Sequence, residues 1–414
     1  MCILKKVKPY TMALAITGGL IAGSGILPGH NIILGTADFI AELFMRLLKL
    51  VSLPIIFLSI ATTISGLEKY DDLKKTGSQV LGYTISTTVC AATIALLLFL
   101  IIDPANPNLV NLATETAPSE QGMRYIDYLL NVVPSNVIQA FADNNVIGTL
   151  LIAVGIGVSS LSLPGDKRQT LHQLFSSLYA AVFQVTEWIL KLVPVAIWGF
   201  TAQFVQSVMS QSLQLDTLSL YLFCVVGANI LQAIVVLPLL LKRKGLDPMV
   251  IFKKMLPALQ VAFWSKSSSA ALPVALKHLK CNTDIDHKVA SISMPLCISI
   301  NMNGCAAFIL TTVFFVSKCH GIFFSAPEML IWILISTLTA VGNAGVPMGC
   351  YFLSCALLSS MGVSLQIMGF ILPFYVMIDM LESAINVWSD ICVTLAVNAD
   401  NEMAHDLEAS EITA

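Results

Sequence analysis

Eight long stretches of this chain contain no charged residue at all. They cover 9–37, 50–67, 76–102, 144–165, 192–215, 217–241, 289–317 and 329–378. A helix needs about 20 apolar residues to cross the hydrocarbon of a bilayer, and most of these runs meet that length. Only 11% of the residues are charged, against roughly 25% in a soluble domain. Mean hydropathy is +0.82. A water-soluble enzyme is thereby excluded, and a polytopic all-α membrane protein is predicted. The net charge of −3 leaves no footprint for nucleic acid. The ten cysteines form no CxxC pair and the six histidines no HExxH, so the cysteines read as small apolar residues. The N-terminal MCILKKVKPY and the apolar stretch after it read as a retained first membrane helix.

The basic residues orient the spans. Sixteen Lys and Arg fall at the N-terminus or in alternate loops: Lys5, Lys6, Lys8, Lys69, Lys74, Lys75, Lys167, Arg168, Lys242, Arg243, Lys244, Lys253, Lys254, Lys277, Lys280 and Lys288. Only Arg46, Lys49, Arg124 and Lys318 fall in the intervening ones. Basic loops stay cytoplasmic, so both termini are expected inside, with an acidic, disordered tail from Asn398.

Two segments do not fit a simple crossing. Residues 255–277 are apolar yet basic on both flanks, and their middle reads Lys266-Ser267-Ser268-Ser269. Residues 328–359 are broken by GNAGVPMG at 342–349. Each is expected to enter the membrane and return, one from each face. Irregular backbone at membrane depth is tolerated only against protein or a water-filled cavity, and broken segments at matching places in two halves point to a carrier's binding site.

The last helix carries Asp379, Glu382, Ser383, Asn386 and Asp390 on one face, at spacings i, i+3, i+4, i+7 and i+11. Each acid costs about 2.5–3.5 kcal/mol at the centre of a membrane helix. Such a stripe needs a polar interior, exchanging cations or both. Asn301-Met302-Asn303-Gly304, inside a 29-residue uncharged run, predicts an unwound turn whose oxygens suit a hard cation such as sodium. Tyr83, Ser86 and Thr87 form a further polar group in GYTISTT, a pattern that on its own mostly reflects hydroxyls bonded to their own helix.

SSSAALP (267–273), NMNG (301–304), NAGVP (343–347) and NVWSD (386–390) together resemble the dicarboxylate/amino acid:cation symporter family, the glutamate-transporter homologues, over nearly the whole chain. The resemblance implies eight spanning helices, two re-entrant hairpins, inverted repeats and a homotrimer in an inner membrane. It implies scaffold helices one and two within 1–75 and four and five within 104–215. It implies an elevator-like transport domain of helix three (76–103) and 216–397, followed by a cytoplasmic tail at 398–414. The transported amino acid would meet Asp379 through its ammonium group, and Asn386, Ser268 and Val346 through its carboxylate, with Ser267, Cys305, Glu382 and Ser383 completing the pocket. Sodium would sit at Asn301, Asn386 and Asp390, at Met302 with carbonyls near Ala340 and Asn343, and at a third site of Tyr83, Ser86, Thr87, Asn301 and Asn303.

Three departures bear on substrate. Asn303 replaces the aspartate of the family's NMDG, which removes a charge from the third cation site. Glu382 stands where members carrying acidic substrates have an arginine that forks onto a carboxylate. Cys305 replaces the threonine after that motif. A neutral or cationic amino acid side chain is therefore expected. Lys266 neutralising Glu382, or a protonated Glu382 coupling transport to protons, are the alternatives, together with a proton- or sodium-coupled dicarboxylate carrier and an ion channel. An intramembrane enzyme has neither a GxSxG nor a partner histidine at depth to support it, and no organic cofactor is expected.

Overall fold

The computed structural model describes residues 9–26, 28–66, 71–105, 134–142, 145–209, 215–343 and 348–413. These residues form helices and no strand. In chain order they are α1 (Pro9–Gly23), α2 (His30–Ser65), α3 (Asp71–Ile102), α4 (Val137–Ala142), α5 (Val146–Leu161), α6 (Gly165–Leu190), α7 (Val193–Met209) and α8 (Leu215–Arg243). They continue as α9 (Pro248–Ser265), α10 (Ser268–Asn282), α11 (His287–Ile300), α12 (Asn303–Cys319), α13 (Ala326–Val341), α14 (Gly349–Ser360) and α15 (Gln366–Thr413).

Among the described residues, five spans are long and apolar enough to cross a membrane: within α2, within α3, α8, α11 with α12, and within α15. A sixth is the pair α6 and α7, bent by 49°. Among the described residues α1 (15 residues) and α5 (16 residues) are shorter apolar helices, so these spans neither reach nor exclude the expected eight.

The first two spans divide differently from their charge pattern. The chain turns at Ser24–Gly29, where Gly25 and Gly29 adopt φ of 76° and 79°, a left-handed conformation that costs glycine nothing. It then runs as one 36-residue helix past Arg46. Arg46 therefore lies inside α2, not in a loop, and pairs with Glu42 one turn earlier (2.5 Å). Lys253, Lys254, Lys277 and Lys280 likewise lie on α9 and α10 rather than in loops. The segment 398–413, expected to be disordered, continues α15. Asn398 holds it by donating to Glu402 (2.7 Å) and accepting from the Asp286 amide (3.0 Å).

Both irregular segments are broken helices. Asp247 caps α9 by accepting from the amides of Met249 and Val250, with Pro248 as the first helical residue. Hence the hairpin begins earlier than residue 255. Lys266 ends α9 in a left-handed conformation (φ 54°), and Ser267 caps α10 by accepting from the Ala270 amide (3.3 Å). The two arms run back along each other: the Lys254 carbonyl and His278 Nδ1, each twelve residues from the turn, lie 3.1 Å apart. The second break separates α13 from α14, with Met348 at φ 57° entering α14. Residues 344–347, including the candidate Val346, lie outside the described residues.

Packing has two centres. α1 lies on α7, and α2 lies on α5, α6 and α7. Gly19 lets α1 approach closely, since a Cβ there would stand 2.6 Å from Thr201 Cβ and 2.7 Å from the Trp198 carbonyl. The other centre is α12, of which every residue but Lys318 is buried. It is surrounded by α3, α8, α13, α14 and α15.

Candidate functional site

The helix pair α11 and α12 unwinds at Asn301 and Met302, whose φ, ψ values (−97°, 80° and −111°, 63°) leave the helical region. The break turns two asparagine side chains and the free start of α12 toward the polar stripe of α15. Asn301 and Asn303 are fully buried. Asn301 Nδ2 donates to Ser389 Oγ (2.9 Å) and Asp390 Oδ1 (3.1 Å), and Asn303 Nδ2 donates to Ser389 Oγ (2.5 Å). From α3, Thr88 donates to Asn303 Oδ1 (2.7 Å), and the Thr87 hydroxyl lies 3.4 Å from Asn301 Oδ1. Gly304 gives its amide to Asn386 Oδ1 (2.9 Å) and leaves no room for a side chain: a Cβ would lie 2.7 Å from Asn229 Oδ1 and 3.2 Å from the Glu382 Cα.

All five stripe residues are buried. The three acids share one property: Asp379 Oδ2, Glu382 Oε1 and Asp390 Oδ2 have no hydrogen-bond partner. The Tyr375 hydroxyl reaches Asp379 Oδ1 at 3.5 Å and Glu382 Oε2 at 3.3 Å. Among the described residues no ion pair joins Lys266 to Glu382 or to Asp379. An acceptor buried without a partner costs about 1–3 kcal/mol, more if charged. Three such oxygens fall on one face of α15.

Around the second break, Asn343 Nδ2 donates to Cys305 Sγ (3.2 Å) and Cys350 Sγ (3.5 Å), and its amide takes up the Ala340 carbonyl (3.0 Å). Asn386 Nδ2 lies 3.5 Å from both Met302 Sδ and Cys305 Sγ. Cys305 and Cys350 form a disulfide from α12 to α14, so these two cysteines are not the isolated apolar residues expected. Gly342, at the end of α13, accepts from Ser59 of α2 (3.2 Å). The space bounded there by Ile55, Ile56, Asn343 and Phe352 is only about 10 Å³.

Thr87, Asn301, Met302, Asn303, Cys305, Glu382, Asn386 and Asp390 thus meet around the start of α12, with Asp379 linked to Glu382 through the Tyr375 hydroxyl and Ser383 buried on the same face of α15. Ser267 and the buried Ser268 lie at the hairpin turn beside Lys266, whose charge bears on Asp379. Two expected members are elsewhere. Tyr83 gives its hydroxyl to Asp400 (2.6 Å), and the exposed Ser86 bonds the Gly82 carbonyl (2.7 Å). In their place stand Thr88 and Ser389, each a direct neighbour of a residue singled out from the sequence. Gln232 was not legible: it donates to the Thr87 carbonyl (3.0 Å) from a π-helical turn, Gln232–Val236, inside α8. A groove of about 1170 Å³ lies elsewhere, between α8, α9 and the apolar side of α15, and none of the three acids lines it.

Residues 10–400 match the model of the sodium:dicarboxylate symporter family. The human neutral amino acid transporter A is 24% identical, with 92% of this chain and 80% of that protein covered. The C4-dicarboxylate transport protein of Rhizobium leguminosarum is 25% identical (87% and 82% covered). The proton/glutamate-aspartate symporter of Escherichia coli K12 is 24% identical (86% and 83% covered). With its broken helices and buried acids, this chain is a multi-pass membrane protein that belongs to the sodium:dicarboxylate symporter family.

Proposed function

We propose that this chain is a secondary active symporter that couples sodium entry to uptake of an amino acid with a neutral or cationic side chain. One observation carries the reading: the three buried acids each keep an oxygen without a partner, while no described cation stands within ion-pair distance of Glu382. A pocket built to hold an acidic side chain needs a fixed positive charge there; this one holds a carboxylate. The human relative named as a neutral amino acid transporter supports the same substrate class.

Asp379 holds the substrate ammonium, beside Ser268 and Lys266 of the α9–α10 turn. Asn386 and the α13–α14 break hold its carboxylate. Sodium binds at Asp390 with Asn301 and, because Tyr83 and Ser86 are engaged elsewhere, beside Thr87, Thr88, Asn303 and Ser389. The α2 contact of this break is the Ser59 hydroxyl on the Gly342 carbonyl, and in the proposed cycle α13 and α14 part from α2 to admit solute. The helices α1, α2 and α5–α7 act as the scaffold of a homotrimer, and α3 with α8–α15 as the moving part, consistent with the two packing centres. Both termini face the cytoplasm in an inner membrane. The potential adds about 2.3 kcal/mol per charge per 100 mV.

A second reading, proton coupling through Glu382, is favoured by its unpartnered Oε1 and by the relative named a proton symporter. Uptake by proteoliposomes of radiolabelled neutral, basic and acidic amino acids, under a sodium gradient, a proton gradient or neither, tests both. Saturable, sodium-driven uptake of neutral or basic amino acids is expected. Strong saturable aspartate uptake would overturn the substrate class, and uptake driven by protons alone would transfer the coupling to Glu382.

A further inference from the structure

We infer that Cys305, Cys350 and Glu382 form a binding site for a thiophilic divalent cation, of the zinc or cadmium class, when the two cysteines are reduced. The ligand atoms of these three buried residues all lie within 4.8 Å of one another. Metal–sulfur bonds of about 2.3 Å and metal–carboxylate bonds of about 2.0–2.2 Å hold donors up to about 4.6 Å apart on a single ion, so the three reach one ion once the S–S bond is broken and the sulfurs separate. Two thiolates and one carboxylate select a soft or borderline ion. Alkali ions prefer oxygen, so this set is separate from the oxygens proposed for sodium.

The surroundings fit the charge. Glu382 is 1% exposed, and its Oε1 has no partner, whereas Tyr375 holds Oε2. That leaves one oxygen free for an ion and the other steered by a neighbour, the usual arrangement around a metal-binding carboxylate. Asn343 Nδ2 donates to both sulfurs and Asn386 Nδ2 to Cys305 Sγ, so amide hydrogens support negative charge on the thiolates. Three protein ligands leave a fourth position for water or solute.

The site is conditional on redox state, because the Cys305–Cys350 bond consumes both thiolates. A phosphine reductant opens it: phosphorus takes an oxygen atom from water and gives up two electrons, the S–S bond breaks, and each sulfur takes one proton. The metal ion then displaces those two protons to the buffer. An azo oxidant such as diamide closes it again, accepting two electrons and two protons as the S–S bond forms. Metal binding does not depend on the symport reading; block of uptake by the bound metal does.

The test uses the full-length protein in detergent, reduced with a phosphine and titrated with Co²⁺, reading thiolate-to-cobalt charge-transfer absorption and its loss on adding Zn²⁺. One Co²⁺ per chain is expected. Cys350→Ser should lose the band, and Glu382→Gln should keep it but weaken Co²⁺ binding by more than about tenfold. Should Cys350→Ser fail to fold, diamide-treated wild-type protein replaces it and should lack the band. Absence of the band in reduced protein, or a band that persists in Cys350→Ser or after diamide, overturns the site, since the other cysteines would then carry the signal. Zn²⁺ in proteoliposomes should stop uptake by reduced wild-type protein. Protein that shows the cobalt band yet takes up no amino acid under any gradient confirms the metal site and sinks the symport reading instead.

Discussion

The two sides of α15 face different worlds. One side presents Asp379, Glu382, Ser383, Asn386 and Asp390, all buried, with Asp390 accepting from Asn301 and Asn386 accepting from the Gly304 amide at the broken start of α12. The other presents Leu381, Ala384, Ile385 and Trp388 to an open groove of about 1170 Å³ shared with α8 and α9. The groove is mainly apolar and none of the three acids lines it; they lie buried on the other side of the helix. Apolar side chains on a membrane helix need only packing or lipid. Buried carboxylates need partners, and those the fold supplies are incomplete. The incomplete hydrogen bonding, rather than the size of a cavity, is the ground for proposing the acid face as the site.

The contrast breaks most severely on the apolar side. Trp388 is buried, donates Nε1 to the Ala233 carbonyl (3.2 Å) and meets Phe252 edge to face at 5.5 Å. Trp388→Ala should cost about 3–5 kcal/mol of stability, read as a lowered thermal midpoint in detergent, while the KM of whatever protein survives stays near wild type. A KM shift larger than the stability loss would show that this face takes part in binding.

On the polar side the order is reversed. Gly304→Val drives a side chain into Asn229 and the Glu382 backbone. Overpacking of this kind costs about 1–3 kcal/mol, but uptake should fall to background because α12 and α15 can no longer meet. Retained uptake would mean that the Gly304–Asn386 contact is dispensable.

Glu382→Arg sharpens the comparison without breaking it. An arginine can fork onto a carboxylate, so the ratio of acidic to neutral amino acid uptake should rise by about tenfold, roughly 1.4 kcal/mol. Competition between labelled aspartate and an unlabelled neutral amino acid reads this directly. An unchanged ratio would remove Glu382 from the selectivity argument.

How much of this was visible in the residues follows from the range of each interaction. The acid stripe is a matter of helical spacing and the unwinding at Asn301–Met302 a matter of local composition; both are local, and both are present. The turn at Lys266–Ser267 is local too, a serine cap after a polar break. The turn at Gly25–Gly29 is also local but was hidden, because counting uncharged runs ignores glycine and takes Arg46 for a loop residue. The i,i+4 pair with Glu42 lets that arginine stay on a helix. The Cys305–Cys350 bond spans 45 residues, and Tyr83–Asp400 spans 317. Neither has any signal in spacing, since only the assembled packing brings such residues together.

The smallest expected effect lies at the far end of α15, where the polar face leaves the acid stripe. Lys244, just beyond α8, pairs with Asp400 and sits 5.4 Å over the Tyr83 ring, and Tyr83 bonds the other Asp400 oxygen. Partial burial works against the lysine's charge, but the Asp400 and Tyr83 contacts outweigh it and raise the Lys244 pKa above its ordinary value. A raised lysine pKa means the contribution is complete below the unfolded value, roughly 10.4, and fades only as pH climbs through the folded one. Both partners are partly exposed, at 19% and 25% of their side-chain surface, so water and salt screen the pair. Lys244→Met should therefore lower stability by about 1 kcal/mol or less, by the same amount at pH 6 and pH 8, and by less in high salt. A loss that grew between those two pH values would mean that some other group in this cluster titrates there. A loss as large as that of Trp388→Ala would make this end of α15 a structural anchor rather than a marginal one.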